Sequence, residues 1–269
     1  MKNIIAIVLI SVALYSCNKT SSLPAYNYDP VISAYLHAGH VFSIQLSAQQ
    51  SASSQTYTSP SLDTLQVTIT TADSSYQLTP MGKGIYTDSN LIITAGTTYN
   101  LSFNYNGKKV TASTTIPAKP TDFAQSATTM TIAQITSTST VTNGPGNMVT
   151  PIELTWDNTY GDYYVVVVEC IQANPEKIFD TISTSTDTGR VFRNTPITTA
   201  TYDINSRSFK YFGAHRIVLY HILPDYALLY DNSSLSAQSL ATPSTGITNG
   251  VGLFTGITSD TLYMTVVKQ

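Results

Sequence analysis

Apolar and polar side chains alternate along the chain between residues 31 and 47, in two runs that read VISAYL and VFSIQLS. Alternation with a period of two is typical of a strand with one buried face. The two runs are separated by HAGH, and the glycine in this short connection favours a β-hairpin. The pattern returns in LQVTIT at residues 65–70. It also returns at four aromatic or apolar positions that share one face of a strand: Tyr99, Leu101, Phe103 and Tyr105.

Turn signals divide the segment between residues 74 and 117 into further strands. Gly82 and Gly84 mark one turn, Ala95-Gly96 marks another, and Asn106-Gly107 is the dipeptide that two-residue hairpin loops prefer. Residues 49–60 are rich in Ser and Gln and are predicted to form a loop. About seven strands in roughly a hundred residues are the expectation for an immunoglobulin-like sandwich.

A proline-containing segment, IPAKP at residues 116–120, interrupts this rhythm. Proline favours an extended backbone, so the segment is predicted to be a semi-rigid linker. We therefore expect an N-terminal β-sandwich over residues 29–117 and a C-terminal β-sandwich over residues 121–269.

The second half resumes the strand pattern. Residues 129–138 alternate, TNGPGN at residues 142–147 is a turn signal, and IELTW at residues 152–156 precedes the apolar run YYVVVVECI at residues 163–171. A strand that carries the lone tryptophan, followed by a tyrosine-rich strand, looks like the opening of a fibronectin type III domain.

One short helix and three more strands are predicted toward the C-terminus. RIVLYHIL at residues 216–223 is typical of a buried strand, and residues 251–254 and 262–267 are predicted as two further strands. A proline in the first turn and three apolar residues at helical spacing predict a helix within residues 224–238. The predicted fold class is all-β, with two tandem immunoglobulin/fibronectin type III-like β-sandwiches, the second with one short helix.

The N-terminal residues predict where in the cell the protein is located. Residues 4–14 form an apolar run that suits a signal peptide and is too short to cross a bilayer. The run leads to Cys17, with Leu14 three residues earlier and Ser16 directly before it, and this resembles the bacterial lipoprotein signal. We expect residues 1–16 to be the signal peptide, Cys17 to be acylated, and residues 17–28 to be a polar tether. An ordinary secretory signal with a chance cysteine is the alternative.

Acylation of Cys17 would make membrane lipid the first partner of the chain. Each buried acyl methylene contributes about 0.8 kcal/mol, and two or three acyl chains on one cysteine give stable anchoring. The expected location is the outer membrane. The first acidic residue after Cys17 is Asp29, and the pattern leaves open whether the protein faces the periplasm or the cell surface.

Composition excludes nucleic acid as a partner. Charged residues make up 11% of the chain and the net charge is −3, whereas phosphate contacts need basic patches. Cys17 and Cys170 are the two cysteines, so a lipidated Cys17 leaves no intramolecular disulfide. Cys170 lies within the apolar run described above and is expected to be a buried core thiol.

No residue pattern indicates catalysis, a metal or a cofactor. His37 and His40 flank a turn glycine with no third ligand nearby, and His215 and His221 share one face of a strand, where we expect partial burial. The sequence has no G-x-S-x-G elbow and three glutamates in all. We therefore expect that the protein is not an enzyme, has no cofactor and holds no metal.

Tyrosine is the remaining sign of binding, with 18 in the chain. Exposed tyrosines stack on sugars or anchor protein partners. The candidate ligand-binding side chains lie beside predicted turns: Tyr160, Tyr163, Tyr164, Tyr211 and Phe212. The competing interpretation of each of them is that it fills a strand of the core.

Two segments resemble a known family. YQLTPMGKGIYTDSNLIITAGTTYNLSFNYNGKKVTASTTIP, residues 76–117, is similar to that family's succession of a Gly-Tyr strand, a Gly before a Tyr-x-Leu strand, and an Ala-x-Thr-x-Ile-Pro exit. ITNGVGLFTG, residues 247–256, is similar to its glycine-rich C-terminal signature. We expect these glycines to serve backbone conformation, because a phosphate loop would lead into a helix and carry a lysine.

The family consists of lipoproteins of unknown function from Bacteroidota, often encoded beside TonB-dependent outer-membrane receptors. It has no established catalytic residues. The resemblance implies an outer-membrane-anchored, non-enzymatic accessory or binding subunit of a receptor or transport system, with an outer-membrane barrel protein as partner. The alternatives are a surface glycan-binding lipoprotein and a structural adhesin or cell-envelope scaffold.

Overall fold

The computed structural model of the chain describes residues 29–49, 61–135, 149–179, 189–230 and 246–269. Within these ranges the backbone is mainly β-strand, arranged in three sheets with one short helix. The all-β sandwich class predicted from the sequence is confirmed. The predicted signal peptide, acylated Cys17 and tether lie outside the described residues, as do most of the predicted loop at 49–60 and the predicted turn at 142–147.

Eight strands form in the first half, and the predicted hairpins are present. Gly39 turns the first hairpin with a φ of 83°, and Asn106-Gly107 turns another with both residues at positive φ. The strands are β1 (Pro30–His37), β2 (Val41–Ala48), β3 (Thr68–Thr70), β4 (Ser75–Gln77), β5 (Thr79–Gly82), β6 (Ile85–Ile92), β7 (Thr98–Tyr105) and β8 (Lys108–Thr115).

The rest of the described chain adds nine strands and the predicted helix. The strands are β9 (Ala124–Gln125), β10 (Thr129–Ile132), β11 (Ile152–Thr155), β12 (Tyr163–Cys170), β13 (Val191–Arg193), β14 (Thr201–Ile204), β15 (Gly213–Ile222), β16 (Ile247–Thr248) and β17 (Val251–Lys268). The helix α1 (Pro224–Ala227) continues into a 3-10 turn, Leu228–Tyr230, and a second 3-10 turn covers Ser206–Ser208.

Two β-sandwiches form around one long sheet. The long sheet has the order β13-β12-β15-β17-β1-β2-β6-β5, with β10 also paired to β17. The five-stranded sheet β16-β8-β7-β3-β4 covers its first-half strands, and the three-stranded sheet β14-β11-β9 covers its second-half strands. Each sandwich has its own core, the first built around Phe42, Tyr86 and Tyr99, and the second around Trp156 and Phe209.

Strand β17 belongs to both sandwiches. Its first residues pair in parallel with β1, and its later residues pair with β15 and β10. The sequence predicted two separate strands here, at residues 251–254 and 262–267, because the residues between them are mostly polar. In the structure they form one continuous strand. Thr255 and Thr258 in that stretch are buried, and their hydroxyl groups donate to Asp225 Oδ1 and to the carbonyl oxygen of Ala118, both at 2.8 Å.

The strand pairing crosses the predicted boundary between the two halves. The sequence pattern placed residues 121–269 in the second sandwich, but β16 pairs with β8, and residues 251–257 of β17 pair with β1. Phe254 lies in the first core. Phe254 enters this core because side chains alternate along β17, so Phe254 lies on the same face of the sheet as the buried side chains of β1. The chain's C-terminal segment therefore completes the N-terminal sandwich.

The proline-containing linker is fixed in place by the second half. The carbonyl oxygen of Ala118 accepts hydrogen bonds from His221 Nδ1 and from the Thr258 hydroxyl. Lys119 forms an ion pair with Asp260 at 3.0 Å. The segment predicted as a semi-rigid spacer thus packs against the shared strand and its neighbour.

Candidate functional site

The outer face of the long sheet carries a group of aromatic side chains. In β1, Ile32, Ala34 and Leu36 point into the first core, so Tyr35 and His37 point outward. In β15, Ile217 and Leu219 fill the second core, so Tyr220 also points outward. We call the following set the aromatic face: Tyr35, His37, Arg193, Tyr220, Tyr226 and Tyr230.

Helix α1 lies across this outer face and supplies two of its tyrosines. Thr255 of β17 donates to Asp225 Oδ1 at 2.8 Å, and the same oxygen accepts the backbone N–H of Tyr226 at 2.8 Å. Ala227 packs into a third cluster with outward residues of the sheet, including Val165 and Ile257. The carboxylate near the helix start and this apolar contact hold the tyrosines in position.

The tyrosine rings of α1 and β1 meet edge to face. Tyr35 and Tyr226 have centroids 5.6 Å apart with planes at 84°, and Tyr226 and Tyr230 are 5.8 Å apart at 76°. His37 stacks on His40 at 4.5 Å and lies 5.8 Å from Tyr220. Edge-to-face pairs of this kind are favoured by the ring quadrupoles and fix the orientation of each ring.

Arg193 and the tyrosine hydroxyls form the polar part of the face. Arg193 Nη1 lies 3.5 Å from Tyr230 Oη, and the Tyr226 and Tyr230 hydroxyls are 3.4 Å apart. Burial and the hydrogen bond to Tyr230 raise the pKa of Tyr226 to about 12. The hydrogen bond from Tyr226 lowers the pKa of Tyr230, and the hydrogen bond to Tyr230 raises the pKa of Arg193.

Exposed apolar side chains border the aromatic face. Tyr35 is 49% exposed, and Leu228 and Leu229, which directly follow α1, are 49% and 48% exposed. His37 Nε2 lies 2.9 Å from the Ser259 hydroxyl, and burial together with His40 lowers the pKa of His37. The arrangement offers rings, a guanidinium and hydroxyls for binding. Among the described residues, no group of three His, Cys, Asp or Glu side chains could hold a metal ion.

The five aromatic side chains predicted as binding residues do not come together. Tyr163 and Tyr164 open β12, and Tyr160 precedes it, whereas Tyr211 and Phe212 precede β15. Because β12 and β15 are antiparallel with Tyr163 opposite Ile222, these two groups lie at opposite ends of the strand pair. Phe212 is ten residues from Ile222, so at about 3.4 Å per residue the separation is roughly 34 Å.

Burial contradicts the exposure expected for three of those five. Tyr164, Tyr211 and Phe212 are buried, because the alternation of the neighbouring strands turns them inward. Tyr164 stacks on His221 at 4.8 Å beside Trp156, and burial raises the pKa of Tyr164 to about 12. Tyr160 is 89% exposed and Tyr163 is half-buried, so a binding role for these two stays a prediction.

The expectation for Cys170 is confirmed, and the histidines are more deeply placed than expected. Cys170 is a buried free thiol. His215 and His221 are buried on the inward face of β15, where His215 Nδ1 donates to the carbonyl oxygen of Gly213 at 2.9 Å. Burial lowers the pKa of His215.

The binding residues predicted from the sequence did not include the aromatic face. Tyr35 occupies a position of β1 that the alternation turns toward solvent, where a polar residue is the usual choice, and this was an available signal. Tyr226 and Tyr230 are four residues apart, which places them on one side of a helix. Arg193 joins the aromatic face because β13 pairs with β12, and no local sequence pattern predicts that pairing.

A family model described as "Domain of unknown function (DUF4249)" matches residues 28–262. The chain belongs to the DUF4249 family. No curated protein matches this DUF4249 chain. Within its described residues, no helix has the length and apolar character needed to cross a membrane.

Two solved structures are similar to the DUF4249 chain. One is the crystal structure of chicken CNTN1 FN1–FN3 domains, with 11% identity and a TM-score of 0.29; the match covers 72% of this chain and 59% of the other. The other is domains A168–A170 from titin, with 9% identity and a TM-score of 0.20; the match covers 89% of this chain and 67% of the other. The chain thus spans less than two thirds of the length of the first of these.

Proposed function

We propose that this DUF4249 protein is a lipid-anchored, non-enzymatic binding subunit of an outer-membrane receptor or transport system, and that it docks its partner through the aromatic face. The observation that carries the proposal is the half-exposed ring of Tyr35, which packs edge to face on Tyr226 of α1. Exposed tyrosine and arginine side chains on a rigid surface are typical of the residues that anchor protein interfaces.

The anchoring part of the proposal rests on the sequence. Cys17 ends a signal-like apolar run, and the resemblance described above implies a Bacteroidota lipoprotein that works beside an outer-membrane barrel. Tethering confines the protein to the membrane plane and raises its effective concentration near the barrel, so a modest contact surface suffices. The proposal leaves open which side of the outer membrane the protein faces.

The test is site-specific photo-crosslinking in the native outer membrane. A photoreactive phenylalanine analogue replaces Tyr35 in one variant and Met81 in a matched control, since Met81 is also exposed but lies on β5, at the far edge of the long sheet. We expect position 35 to capture one outer-membrane barrel protein and position 81 to capture none. Equal capture at both positions, or none at position 35, would overturn the docking surface.

Glycan binding is the second candidate, and the ring arrangement favours it. Tyr35 and Tyr226 present aromatic rings beside Arg193 and two tyrosine hydroxyls, which is the chemistry of a sugar-stacking site. The whole protein, solubilised in detergent, would be run through gels that contain cell-surface polysaccharides. Retention of the wild type, with loss in Tyr35→Ala but not in Met81→Ala, would support this function over barrel docking.

A further inference from the structure

We propose that the second sandwich contains a binding site for a small organic anion, separate from the aromatic-face docking surface. The site is a cavity of about 260 Å³ at the end of the sandwich away from the linker. It lies between the end of β12, the edge strand β13, the start of β15 and the segment 207–211. Its volume approaches that of ordinary small-molecule sites, which measure roughly 300–1,000 Å³.

The inner part of the cavity is formed by buried and uncharged side chains. Val168, Cys170, Tyr211 and His215 line it, and each is at most 7% exposed. His215 Nδ1 donates to the Gly213 carbonyl oxygen, and burial lowers the pKa of the ring, so His215 is neutral near pH 7. This part of the cavity therefore suits an apolar group.

The exposed part of the cavity is cationic. Two of the four arginines in the chain, Arg190 and Arg207, line this part of the cavity, whereas the guanidinium of Arg193 lies against Tyr230 in the aromatic face. No Asp or Glu is among the described lining residues. The cavity thus holds half of the arginines of a chain in which 11% of the residues are charged.

Arg190 and Arg207 are available to a ligand. Arg190 Nη1 donates to the Gln172 carbonyl oxygen at 3.0 Å, and its guanidinium carbon lies 6.0 Å from the centre of the Tyr211 ring, which fixes the group against the cavity wall. Within the described part of the chain, no carboxylate pairs with Arg190 or Arg207. The fourth arginine, Arg216, differs in this respect, since it pairs with Glu169 at 2.6 Å.

Arginines without carboxylate partners at the mouth of an apolar cavity match one ligand chemistry. A guanidinium binds a carboxylate, sulfate or phosphate group through paired N–H donors, and the apolar part of the same molecule then enters the buried region. The cavity has the volume of about nine water molecules. The ligand class is therefore a compact organic anion, and a polymer would not fit inside the cavity.

The test uses probes that share one ring and differ in charge. Benzoate, benzenesulfonate and phenyl phosphate are the anions, benzamide is the neutral analogue, and binding to the whole purified protein is measured by isothermal titration calorimetry. We expect saturable binding of at least one anion and at least tenfold weaker binding of benzamide. Equal affinity for benzamide, or no saturable binding of any of the three anions, would overturn the site.

Three variants locate the binding. Arg190→Gln and Arg207→Gln each remove one exposed guanidinium and should weaken anion binding about tenfold, which is the scale of one charge-assisted hydrogen bond. The matched control is Arg216→Gln, which should leave affinity unchanged. An equal loss in Arg216→Gln would show that general charge, not the cavity, attracts the anion. Thermal unfolding of each variant confirms that its fold is intact.

The proposal of barrel docking and the proposal of anion binding can be refuted independently of each other. The crosslinking test depends on Tyr35, whereas the calorimetry depends on Arg190 and Arg207, so neither result decides the other.

Discussion

His221 Nδ1 donates a hydrogen bond to the carbonyl oxygen of Ala118 at 2.8 Å, and this bond joins β15 to the linker between the two sandwiches. The bond requires the proton on Nδ1, because a carbonyl oxygen only accepts. His221 Nε2 lies 3.5 Å from Asp162, and the ring stacks on Tyr164. One buried side chain therefore connects the linker, β15 and the start of β12.

Replacing this histidine should destabilise the protein. His221→Ala removes the donor to Ala118 and leaves a space beside Tyr164, so we expect the free energy of unfolding to fall by about 2–3 kcal/mol. Urea denaturation followed by tyrosine fluorescence measures it. His40→Ala, in an exposed turn, is the control and should change stability by no more than about 0.5 kcal/mol. Equal losses in the two variants would contradict the role of His221.

Gly252 should tolerate no side chain. Its φ is +114°, and a methyl group there would overlap the backbone carbonyl oxygen of Ile32 on the neighbouring strand. Gly252→Ala should therefore cost about 3 kcal/mol or more, from backbone strain and the steric conflict together. Gly107 also has a positive φ, +76°, but a methyl group added there would meet nothing within 4 Å, so Gly107→Ala should cost about 1 kcal/mol.

A comparison of the two alanine variants by thermal unfolding tests this difference. If both lowered stability equally, positive φ alone would account for the result and the close approach of β1 to β17 would be irrelevant.

Stability should fall in mild acid because of His215. Burial lowers the pKa of His215 below its ordinary value of 6.5, so the unfolded chain binds the proton more tightly than the folded chain. The contribution is complete above about pH 6.5 and is lost as the pH falls below that value. His215→Asn retains a donor for the Gly213 carbonyl and removes the titration.

Urea denaturation between pH 7.5 and pH 5, read as the slope of unfolding free energy against pH, measures this effect. We expect a shallower slope in His215→Asn than in the wild type. A slope that stays the same in His215→Asn would assign the acid sensitivity to other groups, of which His37 is the next candidate because burial and His40 lower its pKa as well.

The Thr255 hydroxyl should hold α1 on the sheet. Thr255→Val keeps the volume and removes the donor to Asp225, so the helix should open more often. Hydrogen exchange of the Tyr226 and Ala227 amides should become about tenfold faster, the equivalent of one hydrogen bond of about 1.4 kcal/mol. Thr265→Val, at an exposed position of the same strand, should leave those amides unchanged.

The ion pair on the linker should contribute little. Lys119 and Asp260 approach to 3.0 Å, but their side chains are 61% and 33% exposed, so solvent screens the attraction. Lys119→Ala should alter the free energy of unfolding by less than about 1 kcal/mol. A loss as large as that of His221→Ala would show that the linker depends on charge and not on its buried hydrogen bonds.

Local patterns predicted most of the strands but not how they assemble. The hairpin from β1 to β2, the Asn106-Gly107 turn and the buried β12 and β15 follow from alternation and turn chemistry, which act between near neighbours in sequence. The joining of β17 to β1 depends on residues more than 200 positions apart, such as Gly252 opposite Ile32. No local sequence pattern predicts a pairing between residues so far apart in the chain.

For the candidate sites too, local sequence patterns predicted some features, and long-range strand pairing determined the others. The tyrosines chosen beside turns, such as Tyr164 and Tyr211, were wrong as exposed side chains because turn proximity does not fix the direction of a side chain. The alternation of β1 does fix that direction for Tyr35. The grouping of Arg190 with Arg207 required the β13–β12 pairing and the 3-10 turn at Ser206–Ser208, which only the folded chain brings together.

The sharing of β17 between the sandwiches has a consequence for biosynthesis. The first eight strands are complete once Thr115 has been made, yet one edge of β1 and one edge of β8 lack their partners until residues 247–257 follow. At ~5–20 residues per second, translation from one point to the other takes roughly 7–26 s. During that delay the unpaired edges of β1 and β8 are free to pair with strands of other chains. A truncation that spares every residue of β1–β8 but removes β16 and β17 should therefore aggregate, and a chaperone that holds the nascent chain would protect these two edges first.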